Sequence, residues 1–151
     1  MYADDVKIFN VFKDINGYNL LKADFQSFSM WCKINLLELN IKKCKHMSFF
    51  RHKPIDTSYY IDTAVLDKVE TIWDLGILLD HKLNFRDHIS VMVNKAYGVL
   101  GFMKRWSKEF SDPYITTLLF TSLVRPILEY GSVIWDPCYL IHINSIESVQ
   151  K

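Results

Sequence analysis

The chain has 151 residues, half of them hydrophobic, with 18 basic against 17 acidic side chains. That length accommodates one ordinary domain or two small subdomains, and the near-neutral charge excludes a uniformly basic nucleic-acid binder, so any such contact must rest on local patches. Three cysteines, Cys32, Cys44 and Cys138, show no CxxC or Cys/His zinc spacing and read as reduced thiols of an intracellular protein.

In chain order, Met1 to Phe9 alternates apolar and polar residues after Asp4 and Asp5, which predicts a strand–turn–strand hairpin with the aspartates at its tip. The same charges interrupt the apolar core that a secretory signal needs, so the chain is expected to remain in the cytoplasm or nucleus and not to be secreted. From Tyr18 to Leu39, the residues Leu21, Phe25, Phe28, Cys32 and Leu36 recur at steps of three and four, one stripe of an amphipathic helix that packs on a sheet. The basic run Lys42-Lys43-Cys44-Lys45-His46 leads into a short strand, Met47 to Phe50, before Pro54. Ser58 to Ile61 and Thr71 to Leu79 are further β-type runs, the second containing Gly76 where a bulge or a close backbone approach fits. They predict a small antiparallel hairpin.

After Asn84 the periodicity becomes helical. Phe85, Ile89, Met92, Ala96, Val99 and Met103 form one stripe, and His88 reads as a packing or capping residue at the start of that helix. Ser111-Asp112-Pro113 combines a side-chain cap with a proline at the first turn, and starts a second helix that runs to about Val124. Pro126 kinks or restarts it. Another helical piece ends near Trp135, Asp136-Pro137 turns, and His142 to Lys151 is a last short helix. The most apolar stretch, Tyr114 to Trp135, contains Arg125, Pro126 and Glu129, which are costly in a bilayer; no membrane span is expected. The pattern predicts an α+β chain in three parts: 1–55, a hairpin region over 56–84, and an all-helical subdomain over 85–151.

Neighbouring carboxylates repel, and each needs hydration or a counter-ion. A divalent metal relieves that cost, and Mg2+ prefers carboxylate and phosphate oxygens. Asp-Asp alone also describes an ordinary solvated turn; the flanking residues decide. Tyr2-Ala3-Asp4-Asp5 followed by Val6-Lys7-Ile8-Phe9 resembles the catalytic hairpin of reverse transcriptases, specifically those of jockey-like, LINE-type non-LTR retrotransposons. The resemblance continues in order along nearly the whole chain: Trp31 to Asn35, then Leu39-Asn40-Ile41-Lys42-Lys43-Cys44; Asp74-Leu75-Gly76-Ile77, like a primer-grip hairpin; and Leu123 to Gly131 with Ile146 to Lys151, like the thumb and the segment after it.

The resemblance implies part of a polymerase palm (hairpin, amphipathic helix, short strands) followed by a helical thumb-like subdomain. Asp4 would be the principal ligand of Mg2+ and Asp5 the second carboxylate, with two ions in the complete enzyme. Tyr2 and Ala3 would lie near the primer end, and Leu75 and Gly76 would help hold the primer. Lys43 matches the lysine that helps protonate the leaving pyrophosphate, while an equal reading makes it a solvated member of its basic run. Lys95 and Arg105 would line a surface over the duplex, or form a solvated helix face. RNA template, DNA primer and dNTP would be the partners.

The family takes a third metal-binding aspartate and its template-holding fingers from sequence preceding the hairpin. Without them the 151 residues are expected to bind Mg2+ weakly and not to polymerise, as a piece of a longer reading frame. Two other readings stand beside this one: a non-catalytic template–primer binding module, and a degenerate helical protein without function.

Overall fold

A computed structural model describes residues 6–12, 14–50, 57–106 and 112–150. The chain divides into two compact units, Met1–Glu70 and Thr71–Lys151.

In the first unit, residues 6–12 form no regular structure. The strand expected at Val6 to Phe9 is therefore absent, because no strand among the described residues pairs with it and a lone extended segment gains no ladder bonds. Helix α1, Ile15–Ile34, is capped by Asp14, whose Oδ1 accepts the Gly17 N–H at 2.9 Å. It ends five residues before the expected Leu39. The Leu36 N–H donates to the Lys33 carbonyl and the Leu37 N–H to the Cys32 carbonyl, with Leu36 left-handed at φ 56. This pair of bonds is the Schellman closure, with leucine where glycine usually stands. Leu36, expected on the buried stripe, is instead 90% exposed. The stripe is otherwise real: Tyr18, Leu21, Phe25 and Cys32 turn inward, and all but Cys32 pack with Tyr59, Ile61 and Leu66.

Two ladders of two residues each complete this unit. Strand β1, Lys45–His46, runs parallel to β4, Asp67–Lys68; β2, Tyr60–Ile61, runs antiparallel to β3, Ala64–Val65. The strand expected at Met47 to Phe50 forms just before that segment, at β1. The Tyr18 hydroxyl anchors α1 to this region by donating to the Ser58 carbonyl at 2.7 Å and accepting the Ser58 N–H at 3.2 Å.

The second unit opens on an antiparallel hairpin, β5 (Thr71–Asp74) with β6 (Ile77–Asp80), in the register Asp74 opposite Ile77. Two residues remain for the turn, Leu75 at φ 46 and Gly76 at φ 83. Positive φ at both positions is the type I′ geometry, whose twist matches that of paired strands. Gly76 is thus a turn glycine and not a bulge. Helix α2, Arg86–Trp106, buries Ile89, Met92, Val93, Ala96 and Met103 along one face. With Ile77, Val124, Leu128, Trp135 and Val149 these residues form the core.

Helix α3, Pro113–Leu119, starts on Asp112, whose carboxylate accepts the Tyr114 N–H at 2.8 Å, as the Asp-Pro pair predicts. It passes into a π-helical turn, Phe120–Val124, and then α4, Arg125–Glu129. The cause is Pro126, which has no N–H and crowds the turn before it. The Arg125 N–H reaches back to the Phe120 carbonyl, and the widened turn lets the helix continue past the proline. After Gly131 come α5, Ser132–Trp135, and α6, Leu140–Glu147. Among the described residues no helix is long and apolar enough to cross a membrane.

Candidate nucleic-acid interface

Of the residues singled out in the sequence, Tyr2, Ala3, Asp4 and Asp5 lie outside the described residues. Lys43 is exposed in the turn between α1 and β1, its N–H donating to the Asn40 carbonyl at 2.9 Å. Leu75, Gly76, Lys95 and Arg105 all belong to the second unit. Among the described residues, no three His, Cys, Asp or Glu side chains are grouped as a metal site would need.

The hairpin turn is the most constrained feature of that unit. Left-handed backbone costs a branched aliphatic residue such as Leu75 about 1–3 kcal/mol, which the surroundings must over-determine. They do so from the residues after α4. The Tyr130 hydroxyl donates to the Leu75 carbonyl at 2.8 Å. A methyl group on Gly76 would stand 3.1 Å from Tyr130 Cε1, so the ring lies almost on the Gly76 backbone. Gly131, at φ 66, faces Ile77 so closely that an added Cβ would fall 2.6 Å from Ile77 Cδ1. The Trp135 indole N–H then donates to the Tyr130 carbonyl at 2.7 Å and fixes the clasp from behind.

The base of the hairpin is held as firmly. His88 is buried on the first turn of α2, and its Nδ1 accepts the Leu78 N–H at 3.2 Å. Its ring lies between those of Trp73 and Trp135, at 6.3 and 5.6 Å. Nδ1 as acceptor places the proton of the neutral ring on Nε2, which is buried without a partner among the described residues. Burial accordingly lowers the His88 pKa from its ordinary 6.5. His88 is a packing residue, one of the two roles its position suggested. Asp80 closes the loop into α2: its Oδ1 accepts the Lys82 N–H at 2.9 Å and its Oδ2 the Phe85 N–H at 2.8 Å, which holds Leu83 and Phe85 at φ 55.

On α2, Lys95 and Arg105 are exposed. Ten residues at about 100° each leave them about 80° apart around the axis, on one broad outer face. Gly98 and Gly101 lie between them: an added Cβ at Gly98 would meet nothing within 4 Å, and at Gly101 only Arg105 Nη1 at 3.9 Å. Glycine inside a helix costs about 0.5–1 kcal/mol against alanine, and here no packing explains it. Gly98 leaves part of this face low, and the exposed rings of Phe102 and Trp106, 5.9 Å apart, stand on it beside the two cations. Arg105 also lies in the last helical turn, where a cation stabilises the helix dipole without any ligand.

Sequence reasoning noted Tyr130 and Gly131 only as members of the run Leu123 to Gly131. The available signal was the pairing of an aromatic residue with a glycine just past a helix end; their partners, Leu75 and Ile77, stand more than fifty residues away and leave no local trace.

No protein-family model matches the chain, and no solved structure matches it significantly. Three curated proteins of Drosophila melanogaster do. The chain is 24% identical over 156 aligned residues to a probable RNA-directed DNA polymerase from transposon BS, covering 99% of this chain and 17% of that protein. It is 22% identical to the RNA-directed DNA polymerase from mobile element jockey, over 99% of this chain and 17% of that protein. The X-element counterpart is 23% identical over 82% of this chain and 14% of its own length. The resemblance seen in the motifs is borne out: over most of its length the chain is similar to the RNA-directed DNA polymerases of jockey-like non-LTR retrotransposons. It spans no more than 17% of the length of these relatives.

Proposed function

We propose that these residues form part of a reverse transcriptase of a jockey-like non-LTR retrotransposon, and that the second unit contacts the template–primer. The observation that carries this reading is the similarity to RNA-directed DNA polymerases along 99% of the chain. In the complete enzyme Asp4 and Asp5 would hold Mg2+: two adjacent carboxylates are a hard oxygen donor set, which suits that ion. Bound there, the metal supplies charge neutralisation for a transferring phosphoryl group. Tyr2 and Ala3 border the primer end. Lys43, exposed within the basic run, provides a cation for the leaving pyrophosphate of the dNTP.

In the second unit, the turn at Leu75 and Gly76 presents backbone and an aliphatic side chain to the DNA primer strand. Lys95 and Arg105 neutralise phosphates of the duplex with the RNA template, and Gly98 leaves space on the same helix face. Specificity for sequence is not expected from such contacts, since phosphates carry no base information.

Titration of the chain against a fluorescent RNA–DNA template–primer at several salt concentrations tests the binding half. Affinity should fall linearly on logarithmic axes, and replacing both Lys95 and Arg105 by alanine should reduce the slope by about 1–2. Absence of salt-sensitive binding sinks the reading. On the catalytic half, the 151 residues alone are expected not to extend a primer with Mg2+. Template-dependent synthesis that disappears in Asp4→Ala would contradict this and show a complete site.

A further inference from the structure

We infer that Tyr130 is a positioning residue for the Leu75–Gly76 turn, acting on bound nucleic acid through the turn and not by touching it. The inference rests on the reading of that turn as a primer contact.

A type I′ turn favours Asn-Gly or Gly-Gly, whose first residue accepts positive φ cheaply. Here the first residue is Leu75, at φ 46 and half-exposed. A branched side chain in that conformation carries a steric cost, as at Leu36 within its local helix closure. At Leu75 a tertiary contact helps to offset that cost, and Tyr130 supplies it. The hydroxyl donates its only proton to the Leu75 carbonyl at 2.8 Å, so that proton is not available to a phosphate oxygen. One edge of the ring is occupied by the Gly76 backbone.

Tyr130 is itself held at both ends of its backbone. Its N–H donates to the Pro126 carbonyl at 3.1 Å, and its carbonyl accepts the Trp135 indole N–H at 2.7 Å. Gly131, next in the chain, meets Ile77 on the other side of the turn. A rigid helix end thus grips the hairpin tip at Leu75, Gly76 and Ile77. The gripped object is the backbone of the turn, which leaves the Leu75 side chain projecting outward. What Tyr130 sets is the height and angle of that side chain.

The test uses the full chain and Tyr130→Phe, which keeps the ring and removes only the hydroxyl; a thermal melt checks that it folds. Two readouts are taken on each protein: amide hydrogen exchange at Ile77 by NMR, and affinity for the RNA–DNA template–primer as a function of salt. Loss of one hydrogen bond should speed Ile77 exchange about threefold to tenfold and leave amides of α6 unchanged. Affinity should fall about threefold or more, with the salt slope unaltered, because no phosphate contact has been removed. Unchanged exchange at Ile77 overturns the inference, as does faster exchange with unchanged affinity. A salt slope reduced by about one would also overturn it, by making Tyr130 a direct phosphate contact. If the wild-type chain binds no template–primer, the functional reading fails, while the exchange measurement still decides whether Tyr130 holds the turn.

Discussion

At Gly131 two independent constraints coincide, a left-handed φ of 66 and an Ile77 methyl 2.6 Å from where a Cβ would stand. Gly131→Ala is expected to destabilise the second unit by about 1–3 kcal/mol, through strain and overpacking together. The denaturant midpoint should drop with an unchanged m-value; an unshifted midpoint would mean that the clasp relaxes freely. His88 carries a pH dependence whose sign follows from its burial. Its folded pKa lies below the ordinary 6.5, so below that pH the unfolded chain binds the proton more readily than the folded one. Stability is full above 6.5 and declines as pH falls toward the lowered folded value. Burial acts on His46 in the same direction. Unfolding measured at pH 7.5 and 5.5 should show the loss in wild type and a smaller loss in His88→Gln; equal losses would place the titrating group elsewhere. Of these residues, His88 was legible as a packing residue from the apolar stripe around it. Gly131 was visible only as a glycine in a motif, because its constraint is an atom 54 positions away.

Elements were legible in proportion to their length. Helix α2 and the start of α3 emerge from periodicity and from Asp112-Pro113, both local signals. The end of α1 does not, because the Schellman closure puts a leucine where a glycine would have announced the stop. The ladders of the first unit are two residues long; the β-type run Ser58 to Ile61 contains one of these strands, Tyr60–Ile61, whereas Lys45–His46 is defined by pairing alone. The hairpin at Thr71–Asp80 falls between these cases. Thr71 to Leu79 reads as one β-type run with Ser58 to Ile61 as its companion. The structure instead folds that single run on itself and pairs Tyr60–Ile61 with Ala64–Val65; nothing local marks Leu75 as a turn residue. Leu75→Asn substitutes the residue preferred at the first position of a type I′ turn, and should stabilise the hairpin by about 1 kcal/mol. The same change should weaken template–primer binding by removing the projecting side chain. A variant that is more stable and binds equally well would show that Leu75 is no contact.

For the whole chain, the composition shift near residue 84 marks a change in secondary-structure type, whereas the compact unit begins at Thr71 and joins the hairpin to the helices. The hairpin supplies Ile77 to the core that α2 otherwise dominates. Both units also leave large apolar side chains in water, among them Phe9, Val11 and Leu36 in the first and Val133, Leu140 and Ile141 in the second. Apolar surface beyond a few hundred Å² is a recurrent site of association. The 151-residue chain is therefore expected to self-associate as its concentration rises through the micromolar range. Sedimentation velocity over a dilution series measures this directly; a single monomeric species at all concentrations would refute it.

The sequence by itself determined the family resemblance, the helical stripes, the capped start at Asp112 and the existence of a hairpin near Gly76. All of these are local patterns of residue type and spacing. Only the tertiary structure decided that Leu75 and Gly76 form the turn, that Tyr130 and Gly131 clasp it, and that Leu36 leaves its helix to face solvent. The physical reason is the range of the forces involved. Propensity and periodicity act within a few residues, whereas the turn at Leu75 and Gly76 is met at contact distance by atoms more than fifty residues away, and no local pattern encodes that meeting.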